Sequence, residues 1–185
     1  MSAEADRCAE AARIRAIDAA FRAGNLAALR AAVDDPELVP NGPMPLAIGP
    51  CLEYAIYHSP VSFIRELLQL GADPNPTYHS GFPPLVAALS CCHDHPESPL
   101  RPDVPEIVAA LLEFGADPNQ RGINDYTALH MAVGECHAET ITLLLSAGAD
   151  PYRRTRIDHY ETPMEMAQRA GLASIVALFE GHSRA

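Results

Sequence analysis

The 185-residue sequence predicts an all-α solenoid of stacked helix pairs. Three observations carry this expectation. The word Gly-Ala-Asp-Pro-Asn stands at Gly71–Asn75 and Gly115–Asn119, and returns as Gly148–Tyr152. The last two copies are 33 residues apart, and the first two are 44 apart, 11 more. Each copy follows an apolar run with helical spacing. Leu67 and Leu68, Leu111 and Leu112, and Leu144 and Leu145 hold the same offsets from the glycine, with Ile64, Val108 and Ile141 one turn earlier. The composition agrees: Ala and Leu dominate, aromatics are 6% and Trp is absent.

Taken in order, residues 1–35 read as an N-terminal capping helix pair. Ile14, Ile17 and Phe21 share one stripe, Leu26, Leu29 and Val33 the next, and Gly24-Asn25 makes the turn. Residues 36–49 form a Pro-rich connector without an assigned conformation. A first repeat is expected over 50–82 and a second over 83–126. The second contains the 11 extra residues as an inserted loop, 91–103, whose prolines exclude helix. Its exit, Asp103-Val104-Pro105-Glu106, has the form of a capping box for the next helix. The third repeat, 127–161, starts a helix at Thr127. The last, 162–185, has Thr162 as cap, Pro163 in the first turn and Glu165 closing the box. Each of the three glycines falls where a helix ends on a left-handed residue. The sum is one capping pair and four repeats, about ten helices in a single domain.

A 33-residue unit of turn and two helices, with "TALHMA" and "TPMEMA" at helix starts and "GADPN" at the junction, resembles the ankyrin repeat. The resemblance runs over about residues 50 to 181. The first two repeats carry "PCLEYA" and "PPLVAA" instead of the motif, and the usual Gly-His survives as Cys136-His137. The family implies an array that binds other proteins with its projecting turns and inner helices. By the same resemblance His130 hydrogen-bonds across repeats, and His137 is structural.

Positions just before the helix starts match the variable contact positions of the family. On the first repeat's helix Tyr57 and His58 qualify, and ahead of the second repeat Tyr78, His79 and Phe82. Ahead of the third stand Arg121, Ile123, Asn124 and Tyr126, with Glu135 on its helix. The turn ahead of the fourth is two residues longer, "YRRTRIDHYE", and carries Arg153, Arg154, Arg156, Ile157, His159 and Tyr160. Arg beside Tyr is the chemistry of interface anchors; a solvated hairpin with compensated charges is the bland alternative.

The net charge of −11 disfavours a nucleic-acid backbone and suits a basic protein partner. No window of 18 apolar residues suggests a membrane span, and the N-terminus lacks an apolar leader core. Five cysteines, unsystematically spaced, fit reduced thiols in a cytoplasm. No phosphate loop, nucleophile elbow or H-E-x-x-H occurs, so no enzyme and no cofactor are expected. High Ala, Arg and Pro content is that of a GC-rich bacterial genome, and small bacterial ankyrin proteins include inhibitors and immunity proteins. The expectation is thus a module, monomeric when free, that binds and inhibits or sequesters another protein. The alternative is a metal- or thiol-dependent sensor built on Cys91, Cys92, His93 and His95. Against a metal, adjacent cysteines do not readily share one zinc, and no second ligand pair is evident.

Overall fold

The computed structural model describes residues 3–77, 82–91 and 101–182. Within them the chain is all α apart from turns, and it divides into two compact units, Met1–Asp73 and Pro74–Ala185.

The first unit holds α1 (Ala3–Ala23), α2 (Leu26–Ala32), α3 (Cys51–His58) and α4 (Val61–Gln69), with a single 3-10 turn at Pro36–Leu38. The expected stripe is the core: Ile17, Phe21 and Leu29 are fully buried, and Ile14 is half-buried. Phe21 packs against Tyr54 at 4.9 Å and edge-on against Phe63 at 5.9 Å, which joins α1 to both later helices. Asn25 caps α2 by accepting from the Ala28 N–H at 2.9 Å.

The second unit holds α5 (Pro84–Ser90), α6 (Val104–Glu113), α7 (Ala128–Gly134), α8 (Ala138–Ser146), α9 (Pro163–Arg169) and α10 (Ala173–His182). The pairs α5–α6, α7–α8 and α9–α10 are neighbours packed against each other. Contacts also run along two rows, α5 to α7 to α9 and α6 to α8 to α10. Apolar side chains meet between the rows, with Leu89, Ile107, Leu111, Leu129 and Phe179 fully buried. Each repeat thus covers its neighbour's apolar face, the arrangement that the periodic sequence requires.

The recurring word can be read atom by atom. Gly71, Gly115 and Gly148 have φ of +89°, +86° and +88°. Each glycine N–H and the following alanine N–H fold back onto the last carbonyls of the helix. For Gly148 and Ala149 these bonds go to Leu145 O and Leu144 O, both at 2.9 Å. The alanines, Ala72, Ala116 and Ala149, are buried where a larger side chain would clash with packing. The aspartate then closes a turn: Asp117 Oδ1 accepts from the Asn119 N–H at 2.8 Å. The asparagine bridges onward. Asn75 Nδ2 donates to Gly115 O at 2.8 Å, and its Oδ1 accepts from the Asp117 N–H at 2.6 Å. Asn119 repeats both bonds to Gly148 O and the Asp150 N–H, at 2.9 and 2.8 Å.

The connector, left unassigned above, contains a junction: Asn41 makes the same two bonds to Gly71 O and the Asp73 N–H, at 2.7 and 2.9 Å. This junction residue stands in Pro40-Asn41-Gly42, outside any Gly-Ala-Asp context. One expectation needs correction. Asp103 is the residue before α6, but its side chain makes no cap bond. Both its oxygens are held by Arg101, at 2.9 and 2.7 Å, and that guanidinium keeps the carboxyl below its usual pKa. The box at Thr162 forms as expected, and Thr127 caps α7 in a box that His130 completes.

Candidate functional site

Two projecting hairpins of the second unit bring together most of the candidate residues. The first precedes α7. It closes through Gly122 N–H to Tyr126 O at 2.8 Å, and Asn124 and Asp125 lie in the left-handed region at φ of +57° and +64°. Asn tolerates that conformation because its short amide bonds locally. The second precedes α9. Thr155 N–H donates to Glu161 O at 3.1 Å, and His159 and Tyr160 take φ of +69° and +56°. Thr155 is buried and its hydroxyl donates to Ile157 O at 2.6 Å, which holds the longer turn from inside. The two tips are joined main chain to main chain: Arg156 N–H donates to Asn124 O at 2.8 Å.

The base of the second hairpin is clamped. Arg154 donates to both Glu165 oxygens at 2.8 Å and to Tyr160 O at 2.7 Å. Glu165 also accepts from the Thr162 N–H at 3.0 Å, so one carboxylate serves the cap of α9 and the hairpin together. The Arg154 hydrogen bonds hold its carboxyl below the usual carboxylate range. Arg169 donates to Glu161 at 2.7 Å. From the other side, His130 closes the cap of α7. Its Nδ1 accepts from the Thr127 N–H at 3.1 Å, so the proton lies on Nε2, which donates to Glu161 O at 3.3 Å. Burial lowers the His130 pKa and keeps the ring neutral. The bond expected of His130 is therefore present, to the residue that leads into the last repeat. His137 precedes α8 and meets the Thr140 hydroxyl at 2.9 Å.

Several large apolar side chains remain outward. Ile123 is 50% exposed, Ile157 39% and Tyr160 64%, all on the joined tips, with Tyr152 at 59% near the hairpin base. Tyr152 was not anticipated; it occupies the junction position that holds Asn in the two preceding copies. Charged neighbours are largely compensated. Arg121 pairs with Asp125 at 3.3 Å and Arg153 lies 3.8 Å from Asp150, while Arg156 and His159 are exposed. Tyr126 is half-buried, its ring 5.5 Å from that of His130. Glu135 is half-buried at the end of α7. Phe82 is 39% exposed ahead of α5; Tyr78 and His79 lie outside the described residues.

In the first unit Tyr57 and His58 end α3. Both are half-buried, and the His58 ring stacks at 4.4 Å on Tyr54, whose hydroxyl donates to Asp18 at 2.6 Å. His58 is thus part of the packing between α1 and α3, and the Tyr57 ring lies 6.2 Å from it. Cys91 is buried, its thiol 3.5 Å from Ala87 O; Cys92, His93 and His95 lie outside the described residues. Among the described residues no three His, Cys, Asp or Glu side chains are placed to hold a metal ion. Among them, too, no helix is long and apolar enough to cross a membrane.

A family model described as ankyrin repeats (3 copies) matches residues 52–155 and 98–181. No curated protein matches the chain. The matched span covers most of the sequence and contains all three junction words and both hairpins, and the chain belongs to the ankyrin-repeat family.

Proposed function

We propose that this ankyrin array binds and occupies one partner protein through the joined hairpin tips of its second unit, by recognition and without catalysis. Ankyrin repeats are protein–protein interaction modules, and the chain is one by family. The observation that carries the finer reading is the exposed set Ile123, Ile157 and Tyr160 on tips tied by the Arg156–Asn124 bond. Apolar groups on a backbone already fixed lose little freedom on binding, so their burial goes into affinity. Arg156 and His159 stand beside them as polar rim.

Within this reading the array is a capping pair, α1–α2, and four repeats. The 11 extra residues lengthen the link between α5 and α6 in the second repeat. The effect on the partner is inhibition or sequestration, as in an immunity protein. The net charge of −11 supports that role by drawing in a partner with a basic surface. The glutamates of the outer helices, Glu106, Glu113, Glu139 and Glu180, contribute to that field.

Co-purification from native lysate with mass spectrometry identifies the partner, and calorimetry then measures its affinity for variants. Ile157→Asp and Tyr160→Ala each weaken binding by about 2 kcal/mol, roughly 30-fold, at unchanged melting temperature. A stoichiometric partner indifferent to both variants removes the hairpins from the site. Recovery of no stoichiometric partner counts against the whole reading.

A further inference from the structure

The first unit contains a cleft of about 270 Å³ between α1 and residues 33–45. Its apolar lining is Ile17, Val33, Leu38, Val39 and Met44. Next to it Leu38 is 45% exposed and Leu46 fully exposed, an apolar surface that water does not favour. Three charged residues complete the lining: Arg13, Asp34 and Asp35.

Their charges do not balance. The terminal nitrogens of Arg13 are engaged by Asp34 and by Glu10, the latter at 2.7 Å. Asp35 lines the same cleft, and the Asp34 side chain is 83% exposed. With Glu10 beside them, three carboxylates stand at the cleft against the one guanidinium of its lining, and that excess attracts a cation.

We propose that this cleft docks a short extended segment of a partner protein, one that carries an apolar side chain next to a lysine or arginine. The apolar group fills the cleft, and the cation lies against Asp34 and Asp35. The site stands on the first unit and does not depend on the hairpins.

The test uses the full chain, isotope-labelled, and three capped heptapeptides followed by amide chemical shifts. The probe is Gly-Ser-Arg-Leu-Arg-Ser-Gly. One control replaces both arginines by glutamate, the other replaces the leucine by glycine. The probe is expected to shift amides at Ile17 and between Val33 and Met44, and both controls to bind at least about tenfold more weakly. The double variant Asp34→Asn with Asp35→Asn retains acceptors for Arg13 and for the Glu37 N–H, which Asp35 caps at 3.1 Å. It is expected to keep its circular dichroism and to weaken the probe about tenfold. Absence of shifts at millimolar probe, equal binding of the acidic control, or shifts confined to other residues overturns the proposal. The peptide comparison on the unaltered chain decides even if the double variant fails to fold.

Discussion

Asn119 is bonded twice across a repeat boundary to the loop that begins at Gly148: Nδ2 donates to the Gly148 carbonyl at 2.9 Å while Oδ1 accepts from the Asp150 N–H at 2.8 Å. One side chain thereby satisfies two main-chain groups that the helix end would leave open. Asn119→Ala should lower stability by about 1–2 kcal/mol in urea unfolding. Asn119→Asp keeps the acceptor for the Asp150 N–H but sets a carboxylate oxygen against the Gly148 carbonyl, and should cost at least as much. Equal stability of all three proteins would show that water replaces the amide.

Gly148 makes a second, separable contribution. A Cβ built there meets nothing within 4 Å, so Gly148→Ala introduces no clash, only the strain of a side chain at φ +88°. The expected loss is about 1 kcal/mol, read from the same unfolding curves.

Cys136 gives the converse. It ends α7 at φ +55° with the same pair of backward bonds, Cys136 N–H to Val133 O and His137 N–H to Ala132 O, in the place where α4, α6, α8 and α9 hold glycine. Cys136→Gly relieves the strain and should raise stability by about 0.5–1 kcal/mol. A destabilised variant would mean that the thiol is packed rather than exposed, contrary to the structure.

The neutral His130 sets a pH dependence. Its folded pKa is depressed by burial, so the unfolded chain takes up a proton near pH 6.5 while the folded chain does not. The stabilising contribution is complete above that pH and is lost as the pH falls from it through the folded pKa. Unfolding free energy should therefore decline between about pH 7 and 5, and His130→Gln should flatten that part of the profile. An unchanged slope would assign it to other groups.

Arg154 was expected at a contact and is found in a clamp. Arg154→Met should leave the cap of α9, because Thr162 and Glu165 still bond each other. It should free the second hairpin, seen as several-fold faster hydrogen exchange at the Thr155 and Tyr160 amides, whose bonds close the turn. Exchange that does not change would place the rigidity in the Thr155 hydroxyl instead.

These residues also show what sequence can reveal. Helix pairs, left-handed glycines and the box at Thr162 were legible because each follows from spacing along the chain. Asn41 was not, since its role depends on where folding puts Gly71, and no Gly-Ala-Asp marks it. The cap at Asp103 failed because Arg101, two residues earlier, competes for the same carboxylate with a stronger, charged bond. The clamp on Arg154 was hidden for a related reason: Glu165 had one evident task, the cap, and nothing in the pattern shows that it can serve a second donor. The hairpins were legible as exposed segments; the bond that joins their tips was not, because main-chain pairing leaves no mark in composition.

That last bond has an evolutionary consequence. Arg156 N–H to Asn124 O involves no side chain of either residue, so selection is free to rewrite the chemistry displayed at position 156 without unfastening the fingers. Proline is the one exception, since it lacks the donor. New specificities can then arise by substitution on a scaffold whose geometry is inherited intact.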